Sequence, residues 1–346
     1  MPIQSPLQTE STRQAARECL AALQHLAPER ATPRGVALAT LRCLAQRPRA
    51  SWRIDDREGE APHGAASLWA HWFSAAGEAE RPLLYLTRAD SSARCAVLAE
   101  QAGGRGIFLN DIEAQPSRWP KGAQPWLPLW LRSHPQCLPY DPASAEEALA
   151  ILRGALRALY LEGEGGFCYL SLHDRADASP PLAVPDSAWH GLYALEGTAP
   201  AEIDLLGAGA SLHRVRAAAK RLAVDWGIQA CVWSATSYTR LAREASRQRR
   251  LRRRGLPGAE EVAHLQACLG GRQAPVLAVT GYARAIAEQL GEHLAQPFQA
   301  LGADSLDSGQ ALEAEWIAVC ALDALIAAGR ADPALAARAR RRYRLD

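Results

Sequence analysis

Several groups of residues in this 346-residue chain have types and spacings that could do chemistry. The turn Gly207-Ala208-Gly209 lies between an apolar run and a helical pattern, where glycines let a backbone approach a pyrophosphate at a helix N-terminus. Leu212 stands where a dinucleotide turn needs its third glycine, and the next apolar run ends Val232-Trp233-Ser234 with no acid for a ribose. The turn therefore reads as a tight entry to a helix. Ser171 with His173 and Asp174 has the residue types of a nucleophilic triad, but neighbours along a strand face opposite sides. The nine histidines are dispersed, and His63 and His71, eight apart, have no partners at metal-ligand spacing. From Arg240 to Arg254, eight arginines accompany a single acid, Glu244. Helical spacing puts Arg243, Arg247, Arg250 and Arg254 on one stripe, and Arg249, Arg252 and Arg253 extend the basic surface. A solvated face is the default for such a run, yet like charges repel and would suit an acidic protein surface. Without interleaved aromatics, nucleic acid is not favoured. Arg338, Arg340, Arg341, Arg342 and Arg344 make a second basic patch.

The elements that would position these groups are legible in part. Ile203–Leu206, the glycine turn, a helix with Leu212, Val215, Ala219 and Leu222 on one face, a stop at Gly227 and a run from Ile228 to Trp233 form a βαβ unit. Upstream, a helix over 11–27 is capped by Ser11 or Thr12 and ended by Pro28, and a second is capped by Thr32 with Pro33 in its first turn. Arg53–Gly64 reads as a polar loop, Ala65–Ala76 as a helix, and Leu83–Leu86 and Gly106–Leu109 as strands. The proline-punctuated stretch Trp119–Pro128 reads as a loop packed on the core through its tryptophans. Ser144 caps a helix with the face Ala148, Ile151, Leu152, Ala155 and Leu159, which feeds a strand at Phe167–Leu172. Prolines 180, 181, 185 and 200 mark 174–201 as a linker, after which strands and helices alternate to the end as in a parallel sheet.

A hydrophobic fraction of 48% and a net charge of +2 exclude disorder and bulk nucleic-acid affinity. Lys121 and Lys220 are the only lysines, so the basic charge is almost all arginine, as a GC-rich bacterial genome would produce. No apolar run is long enough to cross a bilayer. The opening MPIQSPLQTESTRQ lacks the layout of a secretory signal, and the eight cysteines are scattered without CxxC. A reduced cytoplasm is expected.

The stretch LLGAGASLHRVRAAAKRLAVDWGIQACVWSATSYTRLARE resembles the start of the C-terminal domain of the homodimeric pyruvate dehydrogenase E1 family, one of the transketolase-like, thiamine-diphosphate-dependent enzymes. Ala235-Thr236-Ser237-Tyr238 resembles its VTSF-type segment, Pro135–Pro142 (PQCLPYDP) its PNCxxYDP, and Phe167–Leu172 its YYYIT strand. Ala274–Tyr282 (APVLAVTGY) is similar to its APxVAxxDY, and ADPALAARARRRYRLD to its last helix. The resemblance covers 135–346 well and 30–134 faintly. It implies an α/β fold: an N-terminal helical segment over 1–30, a degenerate pyrimidine-type domain over 31–173, and a transketolase C-terminal-type parallel-sheet domain over 202–346.

The same resemblance implies what chemistry to look for. Such enzymes hold diphosphate through a metal ion and a GDG-to-Asn motif, and a neighbouring domain supplies a glutamate to the aminopyrimidine. No GDG occurs in this chain, as in the β subunits of two-gene relatives. The best match to the ExGA glutamate segment is Pro62-His63-Gly64-Ala65, which puts Pro62 at the glutamate position; Glu60 is a near substitute. Ala123–Pro128 replaces the histidine-bearing HEDGHS segment, and Gly302–Ser308 shortens the GTDGFGRSD loop. The groups for acid–base work on a 2-oxoacid are thus missing. The expectation is a pseudoenzyme with no cofactor of its own, acting as a binding, scaffolding or regulatory subunit in a homodimer or in a heteromer with another transketolase-like or 2-oxoacid dehydrogenase component. The alternative is a β-type subunit that shares thiamine diphosphate and Mg with a separate α chain.

Overall fold

Apolar runs become buried strands in the computed structural model, which describes residues 9–26, 30–57, 79–114, 121–176, 186–197, 200–306 and 312–345. The chain divides into two units, 1–189 and 190–346, each built on its own five-stranded sheet.

In the first unit, β1 (Trp52–Asp56), β2 (Leu83–Thr87), β3 (Gly106–Asn110), β4 (Cys137–Tyr140) and β5 (Phe167–Ser171) are all parallel, in the order β1-β2-β3-β5-β4. LLYLT, GIFLN and FCYLS are buried throughout, as strands covered on both faces must be. Leu83, Tyr85, Phe108, Phe167 and Tyr169 form one face of the core, with Phe108 edge-on to Phe167 at 5.2 Å. Leu84, Leu86, Ile107, Leu109, Cys168 and Leu170 alternate with them and are equally buried.

The helix α1 (Glu10–Gln24) is capped by Thr9, two or three residues before the expected Ser11 or Thr12. Thr9 accepts from the Thr12 backbone and Thr12 answers it, a capping box that leaves Ser11 inside the first turn. As expected, Thr32 caps α2 (Pro33–Ala45) and Ser144 caps α5 (Ala145–Leu156), which runs on into a π-helical turn over Arg157–Leu161. Between them lie α3 (Ser92–Gln101) and α4 (Leu127–Ser133). WRIDD forms β1 where a polar loop was expected: hydrogen bonding to β2 on its inner side makes a strand of a polar segment at the sheet edge. Trp126, expected to pack on the core, is 48% exposed at the start of α4. The helix expected over 65–76, with Trp119, lies outside the described residues.

The second unit has the strand order β10-β9-β7-β8-β6, with β6 (Tyr193–Glu196), β7 (Ile203–Gly207), β8 (Ala230–Ser234), β9 (Val276–Val279) and β10 (Phe298–Leu301). A short helix α6 (Ser187–His190) and β6 fall inside the span expected as linker. β6 pairs antiparallel with β8, so the expected parallel sheet carries an antiparallel edge. The βαβ unit is present: β7, a 3-10 turn, α7 (Leu212–Trp226), and β8 in parallel register with β7. A Cβ on Gly207 would lie 3.0 Å from Leu212 and Val215, so glycine lets α7 sit directly on the strand end, as a helix entry requires. Buried Asp204 in β7 is held by Arg272 at 2.7 Å and by the Trp233 indole N–H at 2.9 Å. The chain continues through α8 (Tyr238–Arg254), α9 (His264–Leu269), α10 (Ala285–Glu288) and α11 (Ala314–Ala327) to α12 (Leu335–Tyr343).

Candidate functional site at the carboxyl edge of the first sheet

Open parallel sheets take ligands outside the carboxyl ends of their strands, where the winding order changes. Here the chain skips from β3 to the edge strand β4 and returns to lay β5 between them. Residues just past β1, β2, β3 and β4 are Arg57, Arg88, Asp111 and Asp141, and His173 and Asp174 follow β5 after Leu172, so topology gathers charge at this edge.

Two nodes form there. In one, Lys121, with a side chain 2% exposed, donates to Asp141 at 2.7 Å and pairs with Glu113 at 2.5 Å. Glu113 sits on the turn Ile112–Ala114 after β3, and the Ser171 hydroxyl at the end of β5 also donates to it. Gly122 brings the lysine in: its φ is +70°, and a Cβ there would stand 2.5 Å from the Ile112 carbonyl. Burial pushes the Glu113 carboxyl up, to about 7; Lys121 opposes the rise and Asp141 adds to it. Burial works against the Lys121 charge, but Asp141 and Glu113 together outweigh it and raise the ammonium. In the other node, fully buried Asp111 takes a two-pronged contact from Arg34 at 2.6 and 3.2 Å. Arg57 and Arg88 approach the same carboxylate at 3.6 and 3.7 Å. The cap of α2 joins this node through Arg34, 3.9 Å from Asp174, to which Thr32 donates and with which Arg30 pairs at 2.6 Å. The arrangement can hold an anion beside three guanidinium groups, or lock five strand ends together by charge.

The triad types are not brought together. Ser171 turns to Glu113, Asp174 to Arg30 and Thr32, and the His173 ring lies against the Pro142 carbonyl while accepting from the Arg175 amide. Pro62 and Glu60 lie outside the described residues, as do 307 and 308 of the shortened loop. Glu113, Asp111, Asp141, Arg34, Arg57 and Arg88 were not singled out by sequence reasoning. For Arg57, Arg88, Asp111 and Asp141 the signal is a charged residue directly after a strand run, and Lys121 is one of only two lysines in an arginine-rich chain.

The arginine run forms α8, capped by Ser237. Tyr238, Leu241, Ala242, Ala245 and Gln248 are its buried face; Arg247, Arg250 and Arg254 are exposed and Arg243 is half-buried. Arg249 pairs with Glu292 at 3.0 Å, and Arg252 donates to the Ala259 and Glu261 carbonyls. Two arginines of the second patch dock α12, Arg342 on Asp225 at 2.6 Å and Arg340 on Asp323 at 3.3 Å, while Arg338, Arg341 and Arg344 are exposed.

Residues 191–306 match the family described as transketolase-like TK C-terminal domain, and the chain has a transketolase-like α/β fold. It is similar to a solved chain titled "Split gene transketolase, inactive beta4 tetramer", with TM-score 0.55 at 18% identity over 86% of this chain and 99% of that one. It is also similar to the transketolase of Campylobacter jejuni, with TM-score 0.54 at 14% identity over 81% of this chain and 45% of that one. Among curated proteins it is 32% identical over 227 residues to the pyruvate dehydrogenase E1 component of Pseudomonas aeruginosa, covering 61% of this chain and 26% of that protein. The Escherichia coli E1 component is 31% identical over 230 residues, covering 61% and 25%. The chain thus spans about a quarter of the length of these relatives. Among the described residues, no helix is long and apolar enough to cross a membrane.

Proposed function

We propose that this chain is a catalytically degenerate pyruvate dehydrogenase E1-like protein that works in the cytoplasm as a binding, scaffolding or regulatory subunit. The observation that carries the reading is the carboxyl edge of the first sheet. Where such a sheet offers its strand ends to a ligand, Lys121, Glu113, Asp141 and Ser171 are tied to one another, and Asp111 to Arg34. Buried charges that pair with one another are held away from substrate, although Asp141 keeps one buried oxygen, Oδ2, without a hydrogen-bond partner among the described residues. Pro62 at the position of the resemblance's glutamate supports the same reading. The exposed stripe Arg247, Arg250 and Arg254, flanked by half-buried Arg243, is the surface we assign to an acidic protein partner. Eight free cysteines accord with a reducing compartment.

A second reading is favoured by one observation: this fold matches a split-gene transketolase chain over 99% of its length. On that reading the protein is a β-type subunit, completed by a separate GDG-bearing α chain that brings thiamine diphosphate and Mg. Purification from the native host at near-physiological salt, with mass spectrometry of companions and assay of bound thiamine diphosphate, separates the two. A cofactor-free complex, inactive on 2-oxoacids, is expected. A stoichiometric GDG-bearing partner with bound cofactor and 2-oxoacid decarboxylation would overturn the degenerate reading.

A further inference from the structure

At the carboxyl edge of the first sheet the arginines pair off with acids, with one exception. Arg34 meets both oxygens of Asp111, and Arg57 forks onto Asp55 at 2.9 and 2.7 Å. Arg30 pairs with Asp174 at 2.6 Å, and Arg94 pairs with Asp56. Arg88, the residue after β2, has no carboxylate of its own. Among the described residues its one approach to an acid is Asp111 at 3.7 Å, beyond hydrogen-bond reach. Its Nε is buried without an acceptor, so no partner fixes the guanidinium where it stands. The two terminal nitrogens are equally unbonded but stay open to solvent, on a side chain 29% exposed. An arginine kept only to neutralise Asp111 would be redundant, because the Arg34 fork already does so.

A second donor stands beside it. Asp55 takes the Nε and Nη2 of Arg57 and leaves Nη1, which lies 3.6 Å from Asp111 Oδ2. Arg88 Nη2 lies 3.7 Å from the same oxygen. Two spare guanidinium nitrogens, from the ends of the paired strands β1 and β2, thus flank one point and fall within the span of a single oxyanion. Here Arg34, Arg57 and Arg88 face only Asp111 and Asp55, which leaves one positive charge over; the Arg30–Asp174 and Arg94–Asp56 pairs cancel. Guanidinium forks match carboxylate and phosphate oxygens, and open parallel sheets take ligands at this edge.

We propose that Arg88, with the spare nitrogen of Arg57, binds an oxyanion, the carboxylate or phosphate group of a small molecule. Arg88 offers its two terminal nitrogens as a fork and Arg57 adds one donor. Asp111, already satisfied by Arg34, holds both head groups in place by charge without consuming their hydrogen bonds. A partly buried cation with no counter-ion is costly, and the anion removes that cost. The acids of this edge are closed off by internal pairing, and Arg88 is the group left open. The site needs no cofactor and no partner chain, so it stands apart from both readings of the protein's function.

The test is calorimetric titration of the full chain, without Mg or thiamine diphosphate, with inorganic phosphate and with acetate, each at an ionic strength fixed by chloride. Saturable binding of one or both probes, one per chain, is expected, and the probe that binds separates phosphate from carboxylate. Arg88→Met removes a side chain that makes no hydrogen bond, and should weaken binding about 10-fold while leaving urea unfolding intact. Arg88→Lys keeps the charge without the fork and should fall between the two. Arg254→Met, at the exposed end of α8, should bind as the wild type does. No saturation with either probe, wild-type affinity in Arg88→Met, or an equal loss in Arg254→Met would each overturn the proposal. Should Arg88→Met fail to fold, wild-type affinity in Arg88→Lys would overturn it.

Discussion

Lys121 sets the charge balance at the carboxyl edge of the first sheet. It is the one ammonium between Glu113 and Asp141, and all three side chains are nearly removed from water. Removing one member of a buried ion cluster costs more than the cluster contributes, because the remaining charges stay buried and unpaired. Lys121→Met should therefore destabilise the first unit by about 3–5 kcal/mol in urea unfolding followed by tryptophan fluorescence. Glu113 adds a pH signature. Its folded-state value is raised above that of the unfolded chain, so the folded state holds the proton more tightly. The stability this supplies is complete below the unfolded value and is lost as pH rises toward about 7. Unfolding midpoints measured from pH 5 to 8 should fall with pH, and Glu113→Gln should flatten that slope. A slope unchanged in the glutamine variant would remove Glu113 as its source.

Element by element, what the sequence disclosed follows from how each segment is buried. LLYLT, GIFLN and the β7 run are apolar because helices cover both faces, and such runs announce themselves. WRIDD and YALE sit at sheet edges with half-exposed side chains, so no apolar pattern marks them, and their strand character comes from a neighbour's hydrogen bonds. The site was hidden for another reason. Glu113, Lys121, Asp141 and Ser171 lie on four separate segments and meet only through the strand order, which no local window contains. At the other end of the chain, α12 looked like a basic patch, yet its charges and its aromatic ring dock it. The Trp226 indole donates to the Tyr343 hydroxyl at 2.9 Å, and that hydroxyl donates to Asp225 at 2.8 Å. Tyr343→Phe keeps the ring and removes both bonds, at a cost of about 1–2 kcal/mol. Hydrogen exchange should show α12 opening sooner, with β7 and β8 unchanged. Equal protection of α12 in both proteins would mean that the arginines Arg340 and Arg342 dock it alone.

For the whole molecule, the division at 189/190 has a direct consequence. Each unit has its own sheet and its own buried clusters, the conditions under which a segment can fold alone. The second unit also carries an internal reporter. Asp204 is fully buried in the central strand β7, and Arg272 neutralises it while stacking over the Trp233 ring at 5.5 Å. Residues 190–346 produced alone should unfold cooperatively, and Arg272→Ala should lower their stability by about 3 kcal/mol, the cost of stranding a buried carboxylate. Arg272→Lys should recover only part, since an ammonium cannot make the fork that reaches both Asp204 oxygens or lie flat on the indole. If the isolated segment gave no cooperative transition, the sheet of 190–346 would need the rest of the chain to form. If it did unfold cooperatively but Arg272→Ala left the transition in place, Asp204 would have to be neutralised by protonation, and the loss would then reappear as pH rises.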